Sequence, residues 1–394
     1  MKKLLLALTF MFATINGALD PTLAVGKGGK SIVYIGTFRG DTSKGIYAWT
    51  FDSESGAMEP LGLVAVASRP LFLALHPNRR FLYAVSRPSP VERTHKGVVL
   101  AYSIDSHMGK LGGKLTLLNS VPSGGIDPAY ISVDKTGHNV LVANYGSNSG
   151  EGAVAVFPIK MDGSLAEASE SIQYTGTGVH PQRQQGPHSH AIDSAPDNHF
   201  VIVTDLGLDK LFVYRFDVRQ GRLSANNPPF ATLAPGAGPR HIVFDPGSRW
   251  LYVVNEIQST ITTFAYDASA GTLKQLQTIS TLPKEFSGAS SAAEVRIHPN
   301  RKFLYGLNRG HDSVASFAIN PKTGMLTLVE LVSTQGKTAS NFNIDPSGSW
   351  LIAANQGSDS IVMFKLDQNT GKLQATGKSF QVGTPSCVSF LPVK

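Results

Sequence analysis

Cysteine is the scarcest residue of this chain, which has 394 residues and a single cysteine, Cys387. One cysteine cannot form an internal disulfide, so the disulfide-stapled class of secreted domains is excluded. Cys387 falls in a short apolar segment, where a thiol behaves as a small core residue. The fold must therefore be held by burial and backbone pairing rather than by cross-links.

Charged residues and the best-known catalytic motifs are also scarce. Asp, Glu, Lys and Arg make up 16% of the chain, and the net charge of +7 includes no Lys/Arg run. Nucleic-acid binding needs a concentrated basic stripe, so nucleic acid is not an expected partner. The sequence has no G-x-S-x-G, H-E-x-x-H or P-loop motif, which argues against a serine-nucleophile hydrolase, a helix-borne zinc site and P-loop nucleotide hydrolysis.

The N-terminal apolar run, residues 4–15, is too short to span a bilayer. It follows Met1-Lys2-Lys3 and precedes small residues at Ala18 and Ala24, an arrangement typical of a secretory signal peptide. We predict a signal peptide over 1–24, a mature chain without a membrane span and a periplasmic or secreted location. An uncleaved anchor is the alternative.

A repeat dominates the rest of the chain. Seven times a short apolar strand, a turn and a second strand follow one another, 46 to 61 residues apart. A period near fifty with strand chemistry is typical of a β-propeller, and 39 Gly and 23 Pro suit its many tight turns. The turn residues that mark the repeats are Pro77, Lys135, Pro196, Pro246, Pro299, Pro346 and Pro392.

Six repeats are complete units of four strands, and the seventh is split between the chain ends. The chain finishes on a lone inner strand at 387–391 and begins with three strands at 32–38, 45–51 and 61–67. Pairing the last strand with these three closes the ring and removes open edges. The predicted fold is all-β: a single seven-bladed β-propeller with four-stranded blades over residues 25–394.

Two rings of residues are expected at one mouth of the central channel, because the start of an inner strand and the end of its antiparallel neighbour share a face. The first ring lies six residues before each repeat marker: Leu71, Ala129, His190, Arg240, Ala293, Ser340 and Ser386. Five of its members are small or apolar, so His190 and Arg240 on adjacent blades stand out.

The second ring consists of the residues that end the second strands and those that follow them. The first set is Thr37, Ser86, Asn144, Asp205, Asn255, Asn308 and Asn355, and the second is Phe38, Arg87, Tyr145, Leu206, Glu256, Arg309 and Gln356. Most of the Asn side chains are expected to cap turns. Glu256 and Arg309 should meet Arg240 and His190, giving a base, oxyanion donors and an imidazole. The alternative is an ion-pair belt that only stiffens this face.

Three histidines raise the question of a metal. His188 and His190 alternate at one strand start and should point the same way, with His180 in the preceding loop. Imidazoles are common zinc ligands, but no acidic fourth ligand follows at a fixed spacing. We therefore expect neither a metal nor another cofactor.

Several motifs resemble those of the seven-bladed propeller lactonase family, which includes propeller-type 6-phosphogluconolactonases and fungal muconate lactonising enzymes. They are Gly238-Pro239-Arg240-His241 with Asn255-Glu256, Asn308-Arg309-Gly310-His311, and Ala354-Asn355-Gln356. The resemblance covers about residues 30–392. It implies metal-free lactone chemistry with His190, Arg240, Glu256 and Arg309 as the catalytic set, and His188 as the alternative imidazole.

The leading hypothesis is hydrolysis of a lactone. Glu256 would activate water, Arg240 and Arg309 would stabilise the oxyanion, and His190 would protonate the leaving ring oxygen. Six further residues of the mouth are predicted to bind the substrate: His188, Asn255, Asn308, Asn144, Arg87 and Gln356.

An export signal bears on the substrate. An exported member of the family is expected to act on an unphosphorylated aldonolactone of the glucono-1,5-lactone type. A 6-phosphogluconolactonase, with Arg87 and Arg309 on the phosphate, is the first alternative, and a non-enzymatic binding propeller of the cell envelope is the second. Loops at 176–186 and 286–291 either rim the pocket or are surface variation.

Overall fold

A computed structural model describes residues 29–38, 42–87, 96–105, 112–146 and 152–393. The predicted signal peptide, residues 1–24, lies outside the described residues. Within the described ranges there are 28 β-strands and a single 3-10 turn, Gln356–Ser358. No helix in this part of the chain is long and apolar enough to cross a membrane.

The strands form seven four-stranded blades, numbered here along the chain. Blade 1 holds β4 (Pro70–Leu75), β5 (Phe81–Ser86), β6 (Lys96–Ile104) and β7 (Leu115–Ile126). Blade 2 holds β8 (Pro128–Val133), β9 (Asn139–Asn144), β10 (Val154–Pro158) and β11 (Glu170–Ile172). Blade 3 holds β12 (Ser189–Ser194), β13 (Phe200–Asp205), β14 (Lys210–Asp217) and β15 (Arg222–Thr232).

The remaining blades follow the same order. Blade 4 holds β16 (Pro239–Phe244), β17 (Trp250–Asn255), β18 (Thr260–Asp267) and β19 (Thr272–Ser280). Blade 5 holds β20 (Ser291–Ile297), β21 (Phe303–Arg309), β22 (Ser313–Ile319) and β23 (Leu326–Ser333). Blade 6 holds β24 (Ala339–Ile344), β25 (Trp350–Asn355), β26 (Ser360–Leu366) and β27 (Leu373–Gln381).

Blade 7 closes the ring as predicted. It joins the last strand, β28 (Pro385–Pro392), to β1 (Lys30–Thr37), β2 (Gly45–Asp52) and β3 (Ala57–Val66) in the order β28-β1-β2-β3. The antiparallel register sets Ile32 opposite Leu391. The pairing of β28 with β1 joins the two chain-terminal strands in one sheet and completes the split blade. The prediction of an all-β, seven-bladed propeller is confirmed.

Apolar second strands fill the space between blades. The β5 sequence FLYAVS and the β17 sequence WLYVVN are buried along their whole length, as expected for strands covered on both faces. Four tyrosines at one position of this strand donate hydrogen bonds to glycine carbonyls of the next blade, at 2.9–3.1 Å: Tyr34 to Gly113, Tyr83 to Gly163, Tyr252 to Gly324 and Tyr305 to Gly371. These bonds join consecutive blades through buried groups, so they help to fix the ring.

The turn whose carbonyl oxygen accepts the hydrogen bond of Tyr252 needs glycine at position 324. The φ of Gly324, +72°, lies in the left-handed region. A Cβ there would also sit 2.6 Å from the Trp250 ring. Blade-to-blade packing at this point therefore requires the absence of a side chain.

A β-bulge near the start of every inner strand positions the channel mouth. In five blades one residue has no partner between the paired residues: Leu71, Ala129, His190, Ser340 and Ser386. In blades 4 and 5 two consecutive residues share the bulge, Arg240-His241 and Ala293-Glu294. A bulge re-aims side chains, and all seven residues of the first predicted ring lie in these bulges.

Candidate active site

A cavity of about 310 Å³ lies at the channel mouth. Six of the seven residues of the first predicted ring line it, all except Ala293, and six of the seven that follow the second strands line it, all except Leu206. The three other lining residues are Phe72, Arg183 and His241. The two rings inferred from the repeat therefore surround one cavity of a size typical for a small ligand.

Glu256, which directly follows β17, is the centre of the charged part of the cavity. Its Oε2 atom is 2.9 Å from Arg240 Nε and 2.8 Å from Arg309 Nη2. Its Oε1 atom accepts a hydrogen bond from Arg183 Nη2. Three guanidiniums thus converge on one carboxylate that is only 4% exposed.

The neighbouring charges determine the protonation states of Glu256 and Arg240. Burial favours a neutral Glu256, but Arg309, Arg240 and Arg183 outweigh it and lower the Glu256 pKa to about 2. Burial and the neighbouring Arg309 lower the pKa of Arg240 to about 10, so this guanidinium is still charged at neutral pH. The site therefore carries a net positive charge suited to an oxyanion.

Arg183 is a site residue that the repeat did not reveal. It lies in the 176–186 loop between β11 and β12, and its Nη2 is also 3.3 Å from the hydroxyl of Tyr145. The next residue, Gln184, is buried and donates to the carbonyl oxygen of Leu206 at 2.8 Å. This bond fixes the loop over the mouth. With its side chain 37% exposed, Arg183 is accessible from solvent.

His190 lies on β12 and faces the same cavity. Its Nε2 is 3.9 Å from Glu256 Oε2, and its buried Nδ1 has no hydrogen-bond partner in the described part of the chain. Burial, Arg240 and His241 hold the pKa of His190 well below its usual value. His190 is therefore a neutral imidazole at pH 7.

His188 has a different place from His190. It does not line the cavity, so the prediction that His188 and His190 point the same way into the mouth is wrong. Instead the Nδ1 atom of His188 donates to the carbonyl oxygen of Tyr145 at 2.8 Å and its ring stacks on the Tyr145 ring, 4.5 Å between centroids. His188 thus holds a cavity residue in place.

The predicted substrate-binding asparagines, Asn144, Asn255 and Asn308, also lie outside the cavity lining. Each is buried and its amide nitrogen donates two hydrogen bonds. Asn308 Nδ2, for example, is 2.7 Å from the carbonyl oxygen of Thr281 and 3.1 Å from Ser313 Oγ. These hydrogen bonds hold the ends of the second strands in place.

Arg87 and Gln356, the other two predicted substrate-binding residues, do line the cavity. Arg87 donates to the carbonyl oxygens of Pro128 and Asp127 at 3.1 and 3.2 Å, and its guanidinium lies 5.7 Å from the centre of the Phe38 ring. Hydrogen bonds within the protein thus hold the Arg87 guanidinium through Nε and Nη2. Gln356 is half-buried, so its amide is available to a ligand.

Below this layer lies a second set of polar side chains. His241, on β16, is 3.2 Å from Glu294 Oε2 through its Nδ1 atom. Glu294 also contacts Arg296 Nη2 at 3.2 Å and accepts a hydrogen bond from Asn341 Nδ2. Neither His241 nor Glu294 was among the predicted site residues.

The histidines considered as metal ligands are held by separate contacts. In the ranges that the structure covers, no three His, Cys, Asp or Glu side chains are grouped as a metal site. His180 Nδ1 accepts from the backbone of Gln182 at 3.3 Å in its loop, while His188 and His190 make the contacts described above. These three imidazoles do not share a ligand position.

A second, more open cavity of about 560 Å³ adjoins the first and shares Arg183, Glu256 and Arg309 with it. Its remaining lining residues are small: Ala289, Ser290, Ser291, Gly310 and Thr338. The 176–186 and 286–291 loops, predicted either to rim the pocket or to be surface variation, both contribute to these cavity walls.

The chain matches a known protein family over nearly all of its described length. A family model described as "Lactonase, 7-bladed beta-propeller" matches residues 32–390. The chain belongs to this family. The resemblance stated from the motifs is therefore confirmed, and the protein is an enzyme of the lactonase class rather than a non-enzymatic binding propeller.

Similar proteins include two named 6-phosphogluconolactonase and a solved gluconolactonase. The 6-phosphogluconolactonase of Bacillus subtilis is 36% identical over 313 residues, 79% of this chain and 84% of that protein. The 6-phosphogluconolactonase of Formosa agariphila is 34% identical over 315 residues, 79% and 85% of the two chains. The solved periplasmic gluconolactonase of Pseudomonas aeruginosa superimposes with a TM-score of 0.86 at 33% identity, covering 93% of this chain and 100% of that one.

Proposed function

We propose that this lactonase hydrolyses an unphosphorylated sugar lactone of the glucono-1,5-lactone type to the aldonic acid, without a metal. The convergence of Arg183, Arg240 and Arg309 on one side of a small cavity carries the proposal. A lactone carbonyl becomes an oxyanion when water attacks it, and fixed guanidiniums in a site that excludes water stabilise such a charge strongly.

Glu256 has a structural role in this proposal. Without a carboxylate among them, three guanidiniums this close would repel one another. Because its pKa is about 2, Glu256 stays ionised and gathers the arginines around the position of the oxyanion. The sequence-based assignment of Glu256 as the base and His190 as the acid remains a prediction, which the variants below test.

The cations of the first cavity favour a substrate without phosphate. Its four arginines already have partners in the described part of the chain: Arg183, Arg240 and Arg309 contact Glu256, and Arg87 contacts backbone carbonyl groups. A phosphate group would have to compete with the Glu256 carboxylate for three of these guanidiniums. The likeness to a periplasmic gluconolactonase over that protein's full length supports the same substrate class.

6-Phosphogluconolactonase activity is the second candidate. The 36% identity to the Bacillus subtilis enzyme of that name favours it. In that case the exposed Arg183 would exchange Glu256 for the phosphate.

One experiment decides between the two. Turnover of glucono-1,5-lactone and of its 6-phosphate is followed on a pH-stat, with spontaneous ring opening subtracted. We expect the unphosphorylated lactone to have the higher kcat/KM. Preference for the phosphate ester would establish the second candidate, and absence of turnover on both would contradict the proposed substrate class.

We also propose that the protein is exported through a signal peptide over residues 1–24 and acts in the periplasm or outside the cell. The basic start and short apolar run support this location. Fractionation of cells that express the full chain, with N-terminal sequencing of the mature protein, tests it. A cytoplasmic protein that keeps Met1 would overturn the proposal.

A further inference from the structure

A buried carboxylate in the channel floor is not used by the chemistry described so far. Glu294 is 1% exposed, and so is its neighbour His241. Removing an ionised carboxylate from water is strongly unfavourable unless it is paired and hydrogen-bonded. Such a group next to a ligand cavity is a candidate for function.

The contacts of Glu294 orient the imidazole. Arg296 and Asn341 hold the carboxylate through Oε2, the atom that also lies 3.2 Å from His241 Nδ1. A carboxylate accepts hydrogen bonds, so the proton of a neutral His241 is placed on Nδ1. The other ring nitrogen, Nε2, then keeps its lone pair.

Arg240 contacts both ring nitrogens of His241 through Nη1 rather than Nε2 alone, and the same Nη1 atom donates to the carbonyl oxygen of Ala293. This atom is 3.2 Å from Nδ1 and 3.1 Å from Nε2 of His241. An atom placed in line with the Nε2 lone pair would be markedly farther from Nδ1, so Nη1 approaches the ring between the two nitrogens. His241 lines the cavity, and we infer that Nε2, the ring nitrogen that does not contact Glu294, is the one that accepts a proton from water there.

The other proton acceptors of the cavity lack this arrangement. His190 has no partner at Nδ1, and its Nε2 is 3.9 Å from the nearest carboxylate oxygen. Both oxygens of Glu256 are engaged by guanidiniums. Only His241 among these three has the relation to a carboxylate that orients the general base in acyl-transfer enzymes.

We propose that His241, oriented by Glu294, is the general base of this site and then its general acid, in place of Glu256 and His190. The inference rests on the proposed lactone hydrolysis. His241 Nε2 takes a proton as water oxygen bonds to the carbonyl carbon, and the carbonyl electron pair moves to oxygen beside the guanidiniums. When the acyl–oxygen bond of the ring breaks, its electron pair goes to the ring oxygen, which takes the proton from His241. The product is the open hydroxy acid.

The pH dependence of kcat/KM distinguishes His241 from Glu256 as the general base. Burial and Arg240 lower the pKa of His241 to about 4, against the opposite effect of Glu294. The groups that face the ring are Arg240 on its own strand, Glu294 and Arg296 from blade 5, His190 from blade 3 and Tyr130 from blade 2. A base must be unprotonated, so kcat/KM should fall as the pH drops through about 4. A fall only near pH 2 would identify Glu256 instead and overturn the proposal.

Two variants and a matched control complete the test. His241→Asn should lower kcat on glucono-1,5-lactone about a hundredfold to ten-thousandfold, with partial recovery in added imidazole. Glu294→Gln should lower kcat and move the acid limb to lower pH, because the charge that raises the His241 pKa is gone. His298→Asn removes another fully buried histidine, one bonded to the Gly348 carbonyl, and should keep wild-type kcat.

A spectroscopic readout keeps the proposal testable if a variant folds poorly. In nitrogen NMR of histidine-labelled wild-type protein, the assigned His241 imidazole should be neutral with its proton on Nδ1, and Glu294→Gln should alter its signal. Wild-type kcat in a folded His241→Asn, or a proton on Nε2 of His241, would overturn the inference while lactone hydrolysis stands. Absence of turnover by the wild-type enzyme on the lactones would instead overturn the proposed function.

Discussion

The channel mouth has a charged arc and a neutral arc built on the same backbone. In blades 3 to 5 the bulges and strand ends carry His190, Arg240, His241, Glu256, Glu294 and Arg309. In blades 6, 7, 1 and 2 the same bulges carry Ser340, Ser386, Leu71 and Ala129. The bulge is therefore a property of the fold, and the chemistry comes from the side chain placed in it.

The difference also shows how the protein tolerates buried charge. On the charged arc two buried carboxylates are held by several side chains: Glu256 contacts three guanidiniums, and Glu294 contacts the Arg296 guanidinium, the Asn341 amide and the neutral His241. In the bulges of the neutral arc the side chains are hydroxyl or apolar groups, which need no counter-charge, and the cation of this arc, Arg87, is bonded to backbone carbonyl groups. A lactone can thus place its carbonyl against the first arc and the rest of its ring against the second.

Among the replacements that compare the two arcs, removal of the central cation should have the largest effect. Arg240→Gln deletes the guanidinium that is most deeply buried of the three and holds Glu256 through Nε. We expect kcat to fall about a hundredfold to a thousandfold, the usual loss when a donor to an oxyanion is removed. Kinetics on glucono-1,5-lactone check this, with the exposed Arg219→Gln as the matched control. Equal kcat in Arg240→Gln and Arg219→Gln would show that catalysis does not depend on the central guanidinium of the charged arc.

Glu256→Gln tests the ionic balance of the charged arc. The variant leaves three guanidiniums without their carboxylate, and breaking a buried pair costs about 3–5 kcal/mol of stability. The pKa of Glu256 is about 2 in the folded protein against an ordinary 4.5, so its contribution is present above pH 4.5 and is lost as the pH falls through 2.

Urea unfolding of wild type and Glu256→Gln at pH 7, 4 and 2.5 measures this contribution. The gap between the two proteins should be widest at pH 7 and narrow at pH 2.5. A gap that stays constant with pH would mean that the carboxylate charge contributes no net stability. Turnover of the same variant tests the predicted base role, because wild-type kcat would exclude Glu256 as the general base.

The sequence was sufficient to predict the ring and most of the cavity. The repeat gave the blade number, the closing strand and the residues at the mouth, because antiparallel pairing places strand starts and ends on one face. His241 and Glu294 were missed, since a strict alternation turns them away and only the bulge brings them to the channel. A charged or imidazole side chain directly after the mouth position, as in Arg240-His241 and Ala293-Glu294, was the available signal.

Arg183 was missed for a different reason. Its loop lies outside the repeat, so no periodic position predicts where its side chain ends. The loop was recognised as a possible rim of the pocket, but only the tertiary contacts of Gln184 with Leu206 and of Arg183 with Glu256 fix the geometry. Long loops of this kind are placed by contacts that a strand pattern does not encode.

Asparagines end second strands in both arcs, so replacing one of them tests the structural part of the mouth that the two arcs share. Asn308→Ala should lower stability by about 1–3 kcal/mol, since buried donors and acceptors lose their partner. Its KM should stay close to the wild-type value because the side chain does not line the cavity. Thermal unfolding and steady-state kinetics measure both, with the exposed Asn369→Ala as control. A large KM increase at unchanged stability would restore the predicted substrate-binding role.

Arg87 is the cation of the neutral arc, and its loss should have a modest effect. Because it is bonded to the carbonyl groups of Asp127 and Pro128, Arg87→Gln should raise KM for glucono-1,5-lactone less than about tenfold. On the 6-phosphate lactone the ratio of variant to wild-type KM should be the same. A selective loss on the phosphate ester would show that Arg87 holds the phosphate and would favour the second candidate function.

Chelation should have the smallest effect of all. A catalytic cation needs several oxygen or imidazole ligands and favours a negative site, whereas the charged arc presents three guanidiniums around one carboxylate. These guanidiniums would repel a divalent ion and already supply its stabilising charge. Turnover should therefore survive exhaustive EDTA dialysis and should not rise when Ca²⁺, Mg²⁺ or Zn²⁺ is added. If chelation abolished turnover and one ion restored it, the arginine-based account of the charged arc would be wrong, and His180, His188 and His190 would be the first residues to replace.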